Sequence, residues 1–179
     1  MNELTLNELK NGVLEDYTIT LKKIQTMNTS DGTAYTCDIY VNSKKIGFAE
    51  HHGTGGCVEV YANSRVEREL LNTIDAKLKG CPFIVFDDGE TVDWTFDSIL
   101  DELIDEHMFS KWLKQKSQKY ILFRTDPVNE NSWNMYPRKY KVSDKTNCRL
   151  EEAMLFNHIK ETQDPICIVG LRTLPDWYK

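Results

Sequence analysis

Four short stretches in which apolar and polar residues alternate, each separated from the next by a tight turn, dominate the first third of this chain. The first runs from Tyr17 to Met27, with Ile19 and Leu21 on one face, and ends at an Asn-Thr-Ser-Asp-Gly turn. The other three are Ala34–Val41, Ile46–Ala49 and Cys57–Tyr61. Alternation places the apolar side chains on one face of a strand, and short turns join antiparallel neighbours. The pattern therefore predicts a four-stranded antiparallel meander.

Helical periodicity follows the meander. Ser64 and Glu67 have the spacing of a capping box, and apolar residues from Val66 to Leu78 recur at helical intervals before Gly80. Further along, the patterns predict a hairpin around Asp88-Gly89 and a helix that is capped by Asp97 or Ser98 and ends near Gln115. A strand over 119–124, a loop over 126–137 and a strand over 140–142 are predicted next. The last predicted elements are a helix over 147–161, with Leu150, Met154, Leu155 and Ile159 inward, and a strand over 166–169. We expect an α+β fold: an antiparallel β-meander packed by a helix, followed by a second α/β half with two helices.

Length and composition indicate one domain. A chain of 179 residues with 40% hydrophobic residues is expected to fold as a single domain, 1–179, with possible halves 1–80 and 81–179 that meet near Gly80-Cys81-Pro82. No apolar run approaches the roughly 20 residues that cross a bilayer, and the N-terminus lacks a secretory signal pattern. We therefore expect a cytoplasmic protein with no membrane partner. The 5 cysteines include no Cys-x-x-Cys pair, which argues against a disulfide framework and a zinc ribbon.

The turn from His51 to Cys57 is the most unusual local feature. Its glycines permit positive φ and close backbone approach, as in loops whose amides bind anions. The predicted anion-binding residues are His51, His52, Gly53, Thr54, Gly55 and Gly56. The turn leads into a strand, whereas phosphate loops lead into a helix, so a wide hairpin connection is the competing interpretation. Adjacent histidines on a strand face opposite ways, and we therefore predict no metal site and no cofactor.

Charge is unevenly distributed along the chain. Nine acidic and no basic residues lie over 87–106, and ten basic and three acidic residues lie over 111–149, within a net charge of −6. The acidic part predicts a helix face with Asp97, Asp101 and Asp105 at i, i+4 spacing. The basic part interleaves cations with aromatic residues, as stacking and phosphate contact require. We predict partner binding at Asp97, Asp101, Asp105, Trp133, Arg138, Lys139 and Lys141.

The segment over 39–49, followed by Gly53-Thr54-Gly55-Gly56-Cys57, resembles a pattern found in small uncharacterised proteins of bacteria and their phages. In those proteins a strand, a Lys-Lys turn and a Gly-x-Gly-Gly loop follow one another. The resemblance implies a phage or mobile-element context and assigns no activity or site residue.

No recognisable catalytic motif is present, and the charges are polarised. These two observations favour a non-enzymatic binding or regulatory protein that acts on another protein through charged surfaces. One alternative is a small enzyme or a nucleotide- or anion-binding protein that uses the His51–Cys57 turn. A further alternative is a nucleic-acid binder that uses the basic aromatic stretch over 119–141, which predicts steeply salt-dependent binding.

Overall fold

The structure is a computed structural model, and it describes residues 3–124, 133–141, 143–162 and 167–169. The chain divides into two compact units, Met1–Glu106 and His107–Lys179. A meander of four antiparallel strands and further helices confirm the predicted α+β fold. The division between the units does not coincide with the predicted seam at Gly80-Cys81-Pro82. In the described part of the chain, no helix has the length and apolar character needed to cross a membrane.

The first unit opens with a short helix, α1 (Leu6–Asn11), and continues into the meander. Thr5 and Glu8 form a reciprocal capping box at the start of α1. The strands pair in sequence order and are β1 (Ile19–Asn28), β2 (Thr33–Val41), β3 (Lys44–His51) and β4 (Glu59–Ala62). The fourth strand begins two residues later than the alternation predicts.

One irregularity interrupts the ladder between β1 and β2. The register shifts between Lys22 and Gln25, and Lys23 has a φ of 52°. The Lys23 ammonium lies 3.0 Å from the Asp38 carboxylate on β2, and the Lys45 ammonium lies 2.6 Å from the same group. Hydrogen bonds with these two lysines hold the pKa of Asp38 below its usual value. The bulge therefore carries its own ion pair.

One face of the meander is buried. Along β2 the buried side chains alternate with the others, as the period of two requires, and they are Tyr35, Cys37, Ile39 and Val41. Burial raises the pKa of the Cys37 thiol to about 11, which keeps it protonated near neutral pH. These side chains give the meander one buried apolar face.

The helix after the meander, α2 (Arg65–Leu78), buries Leu71, Ile74 and Leu78 but leaves Val66 exposed. The predicted capping box at its start is incomplete. Ser64 is the N-cap, yet its hydroxyl donates to the Glu67 carboxylate and makes no bond to the helix backbone. That carboxylate is buried and also accepts a hydrogen bond from Lys44, at 2.7 Å. Glu67 thus takes a buried position at this turn, next to Lys44 of β3, while its neighbour Val66 is exposed.

A hairpin of β5 (Pro82–Val85) and β6 (Thr91–Asp93) follows and confirms the predicted turn at Asp88-Gly89. It is joined to the N-terminal segment, because the Leu4 amide donates to the Pro82 carbonyl at 2.8 Å and the Trp94 indole donates to the Leu4 carbonyl at 2.9 Å. These bonds hold the segment after Gly80 within the first unit.

The long helix α3 (Phe96–Ser117) begins slightly earlier than predicted. The expected caps were Asp97 and Ser98, but Thr95 fills this role, since its hydroxyl accepts the Ser98 amide at 3.2 Å. One face of the helix is buried through Ile99, Leu100 and Ile104.

The second unit contains β7 (Tyr120–Arg124), β8 (Asn134–Pro137), α4 (Lys145–Thr162) and β9 (Cys167–Val169), with both outer strands antiparallel to β7. The predicted partner strand over 140–142 is wrong. The strand that pairs back from this region onto β7 is β8, which lies within the predicted loop. Tyr140 lies in a bend, and residue 142 lies outside the described residues.

The predicted inward face of α4 is also wrong. Leu150 and Met154 are 60% and 66% exposed, Leu155 is half-buried, and the Ile159 side chain lies outside the described residues. The buried side chains near the start of the helix are Cys148, Glu151 and Glu152. The two carboxylates turn inward because the two residues after β8 meet them: the Arg138 guanidinium pairs with Glu152, and the Lys139 amide donates to Glu151. The pattern of apolar residues alone does not reveal these partners.

Candidate functional site

A cavity of about 410 Å³ lies in the second unit between α4 and the segment that follows β8. Its rim is apolar and aromatic, with Tyr136, Tyr140, Leu150 and Met154 all substantially exposed. The remaining described residues of its wall are Lys139, Glu151, Leu155 and His158. A mainly apolar cavity of this size with a few polar groups is the usual form of a binding pocket in proteins.

Glu151 is the buried polar group in the cavity wall. Its Oε1 accepts a hydrogen bond from the Lys139 amide at 2.7 Å. Its Oε2 is buried and has no hydrogen-bond partner among the described residues. An unsatisfied buried acceptor is costly, and such groups are few in native proteins. One residue of the cavity wall therefore carries a buried acceptor without a described partner.

Arg138 forms a buried ion pair behind this wall. Its Nη1 lies 2.6 Å from Glu152 Oε1, and the two side chains are only 3% and 4% exposed. Its Nε also donates to the Ser117 carbonyl at 2.9 Å. The guanidinium is withdrawn from the surface, so of the predicted basic cluster only Lys139 and Lys141 are exposed.

The other predicted aromatic and basic positions are only partly described. Trp133 is half-buried and its ring lies 5.9 Å from that of Phe109. Residues 125–132, within the basic aromatic stretch, lie outside the described residues. Nucleic-acid binding through the stretch over 119–141 stays a prediction.

In the first unit, the His51 ring holds the Gly-rich turn together. Its Nε2 lies 2.8 Å from the Gly56 carbonyl, and its Nδ1 lies 3.1 Å from the Thr33 carbonyl and 3.3 Å from the Gly53 amide. The ring also stacks on Tyr35, with centroids 5.5 Å apart. Both ring nitrogens are thus engaged by the backbone that the ring supports.

The glycines of the turn differ in their surroundings. Gly53 is buried at a φ of +69°, and its carbonyl accepts a hydrogen bond from Thr29 at 2.5 Å. Gly55 has a φ of +78° with open space around it, and Thr54, Gly55 and Gly56 are exposed. The Gly53 amide points at His51, which leaves the amides after it as the candidates for anion contact. Anion binding at this turn stays a prediction.

His52 faces away from His51, toward two carboxylates. Glu50 on β3 is directly paired with Glu59 on β4, and His52 Nε2 lies 3.8 Å from Glu59 Oε1. One ligand atom each from Glu50, His52 and Glu59 lies within 4.8 Å of the others. The Tyr61 hydroxyl donates to Glu59 and lies 3.4 Å from Glu50, and these bonds raise the pKa of Tyr61 to about 12. Cys57 is exposed and outside this group.

The acidic face of α3 is the last predicted site. Asp101 accepts a hydrogen bond from the Tyr35 hydroxyl at 2.8 Å, which together with burial raises the pKa of Tyr35. Burial, aided by Asp75 and Asp101, raises the pKa of Asp97. Burial and the Asp101 charge do the same for Asp105. The three carboxylates share a helix face as predicted, but they repel one another and Asp101 is already bonded within the unit.

The crowding of carboxylates on α3 also predicts how the stability of the fold depends on pH. The pKa of Glu102 is raised by burial and by the charges of Asp105, Glu106 and Asp101, so its ionised form destabilises the fold. Glu102→Gln is expected to raise the free energy of unfolding at pH 7 by about 0.5 kcal/mol after allowance for solvent screening. A raised folded pKa gives stability that is complete below the usual value and lost as pH rises through the folded one. Urea unfolding at pH 7 and near pH 3.5 checks that the gain disappears in acid.

Glu15→Gln is the matched control for that experiment, since Glu15 is exposed and outside the acidic helix. It should leave the unfolding free energy unchanged at both pH values. An equal gain from the two variants would contradict the repulsion.

No protein-family model, curated protein or solved structure matches this chain. What the protein binds is therefore inferred from its own side chains. Glu151 gave no sequence signal, because it sits in an ordinary acidic pair on a helix. Glu59 and Tyr61 were visible only as the polar positions of a strand, and their approach to Glu50 and His52 depends on the register between β3 and β4.

Proposed function

We propose that this protein is a non-enzymatic binding protein, which takes up an apolar side chain of a partner protein in the cavity between α4 and the segment after β8. The observation that carries the proposal is the exposed apolar rim around a cavity whose wall contains the buried Glu151 carboxylate. The charged surface predicted from the sequence contributes Lys139, which lines the same cavity.

The rim has the composition of a protein-binding surface. Tyrosine is enriched in interface hot spots, where its ring is apolar and its hydroxyl can still bond. Methionine adapts its shape to a partner, and Met154 is 66% exposed. Adjacent exposed apolar residues of this kind mark interaction sites on soluble proteins. A partner that covers Leu150, Met154 and the two tyrosines would remove their apolar surface from water.

Glu151 supplies the polar part of the selection. Its Oε2 lacks a hydrogen-bond partner in the described part of the chain and is closed to solvent. Glu151 also lines the cavity, so a change of its side-chain rotamer on binding would turn this oxygen toward a donor of the partner. Because the acceptor is a carboxylate in an apolar wall, a lysine or arginine of the partner would form the strongest bond. The favoured partner segment therefore carries a large apolar residue next to a basic one.

Selection from a random peptide library on the full chain tests this function. Enriched peptides should share a large apolar residue and a neighbouring lysine or arginine. In fluorescence polarisation with one such synthetic peptide, Met154→Glu should weaken binding at least about tenfold, as expected for an anchor pocket. Its high exposure means that the charge is tolerated by the fold.

The matched control is Met135→Glu, because Met135 is an exposed methionine on β8 that does not line the cavity. It should bind the peptide like the unmodified protein. The proposal fails if no peptide sequence is enriched, or if the binding of enriched peptides survives Met154→Glu.

A further inference from the structure

The pairing of β3 with β4 gathers two carboxylates and an imidazole on one exposed face of the meander. Glu50 and Glu59 are direct cross-strand partners, and His52 lies two residues beyond Glu50, which returns it to the same face. The ligand atoms of all three lie within 4.8 Å of one another. This group is in the first unit, and nothing in the proposed function uses it.

The two carboxylates are unfavourable neighbours as they stand. Like charges directly opposite each other in a sheet destabilise the pair. In the described part of the chain, His52 is the only basic side chain that forms an ion pair with either of them, at 3.8 Å from Glu59. The Tyr61 hydroxyl supplies a hydrogen bond but no positive charge. A cation between Glu50 and Glu59 would turn this repulsion into attraction.

We propose that Glu50, His52 and Glu59 bind a divalent transition-metal cation, of which Zn²⁺ is the probe of choice. Imidazole and carboxylate oxygen are ligands of zinc, with bonds near 2.0–2.2 Å. Bonds of that length require the ligand atoms to lie closer together than the 4.8 Å that separates them at most in this structure. The His52 and Glu59 side chains are 66% and 51% exposed, so they are free to make that adjustment.

The neighbouring Tyr61 side chain and the space around the three ligands fit this assignment. The Tyr61 hydroxyl reaches both carboxylates and orients them, as outer-shell partners of metal ligands do. Tyr61 is itself held in place by stacking on Phe48, with ring centroids 4.7 Å apart. A groove of about 360 Å³ borders Glu50 and His52. The exposure of the His52 and Glu59 side chains gives water access to the remaining coordination positions. Three protein ligands with open positions make a solvent-accessible site.

Calorimetric titration of the full chain with zinc chloride tests the site. All proteins in the comparison carry Cys57→Ser, because this exposed thiol lies five residues from His52 and could bind zinc by itself. The parent is expected to bind one equivalent of Zn²⁺. Glu50→Gln, His52→Gln and Glu59→Gln are each expected to weaken this binding at least about tenfold.

His107→Gln is the matched control, since His107 is an exposed histidine on α3 outside the group. It should bind zinc like the parent. A second readout is nuclear magnetic resonance with Mn²⁺, which should broaden the signals of residues 50–52 and 59–61 before others. Zinc binding that is undiminished in all three ligand variants, or no binding by the parent, would overturn the proposal. Peptide binding in the second unit is measured separately and stands or falls independently.

Discussion

Arg138→Met is expected to lower the free energy of unfolding of the second unit by about 3–5 kcal/mol. The change leaves the Glu152 carboxylate without the guanidinium that lies 2.6 Å from it, in a place where the side chain is only 4% exposed. It also removes the hydrogen bond that Arg138 Nε donates to the Ser117 carbonyl. A buried charge that loses an ion-pair partner cannot replace it by hydration without opening the fold. Urea unfolding followed by circular dichroism measures the loss.

Two further variants make this prediction specific. Arg149→Met removes an exposed arginine from α4, the helix that carries Glu152, and should change the unfolding free energy by no more than about 0.5 kcal/mol. Adding Glu152→Leu to Arg138→Met should recover most of the loss, because the buried charge is then gone as well. A loss that is no larger for Arg138→Met than for Arg149→Met would contradict the buried pair.

Gly53→Ala is expected to destabilise the first unit by about 3 kcal/mol, from two sources. The residue has a φ of +69°, and a side chain in that region costs roughly 1–2 kcal/mol. An added Cβ would also lie 2.6 Å from the Ala34 amide nitrogen and 2.9 Å from the Thr29 side chain, and such overpacking costs roughly a further 1–3 kcal/mol. The difference in unfolding free energy between this variant and the unmodified chain, measured in urea, gives the sum of the two costs.

Gly55→Ala separates the two sources. Gly55 has a similar φ of +78°, but nothing lies within 4 Å of an added Cβ. Only the conformational cost of about 1–2 kcal/mol is expected there. Equal losses at the two positions would show that the close approach at Gly53 has no energetic effect.

The regular elements of the first unit were predictable because their residues follow one period. Alternation identified β1 and β2, and the spacing of Leu71, Ile74 and Leu78 identified α2. The helix caps were less predictable, since Thr95, Asp97 and Ser98 all favour an N-cap and only the backbone geometry selects among them. Local rules therefore located the elements and left their ends uncertain.

The second unit shows where a local pattern is insufficient. All four residues of β8 are exposed, and its Asn134 and Pro137 are typical of loops, so nothing in the segment itself indicates a strand. Its pairing with β7 supplies the hydrogen bonds. Nothing in the sequence pattern indicated that Glu151 and Glu152 are buried, and they are buried because the Lys139 amide and Arg138 meet them.

The candidate sites depended on tertiary placement to different degrees. The opposite orientation of His51 and His52 followed from strand geometry and agrees with their different partners. The approach of Glu50, His52 and Glu59 to one another could not be predicted from strand geometry. The length and path of the Gly-rich turn set which residue of β4 faces Glu50. The cavity beside α4 could not be predicted, because the sequence pattern missed β8 and assigned the wrong inward face to α4.

The bulge at Lys23 has a consequence for how this protein behaves at high concentration. The first strand, β1, is an outer strand of the meander, with backbone groups that another chain's strand could pair with. The register shift between Lys22 and Gln25 interrupts that row of donors and acceptors, and the Lys22 and Lys23 side chains add positive charge there. Strand addition from a second molecule would have to cross both obstacles. The same irregularity that pairs Lys23 with Asp38 thus gives β1 two of the features by which edge strands avoid edge-to-edge aggregation, a bulge and exposed lysines.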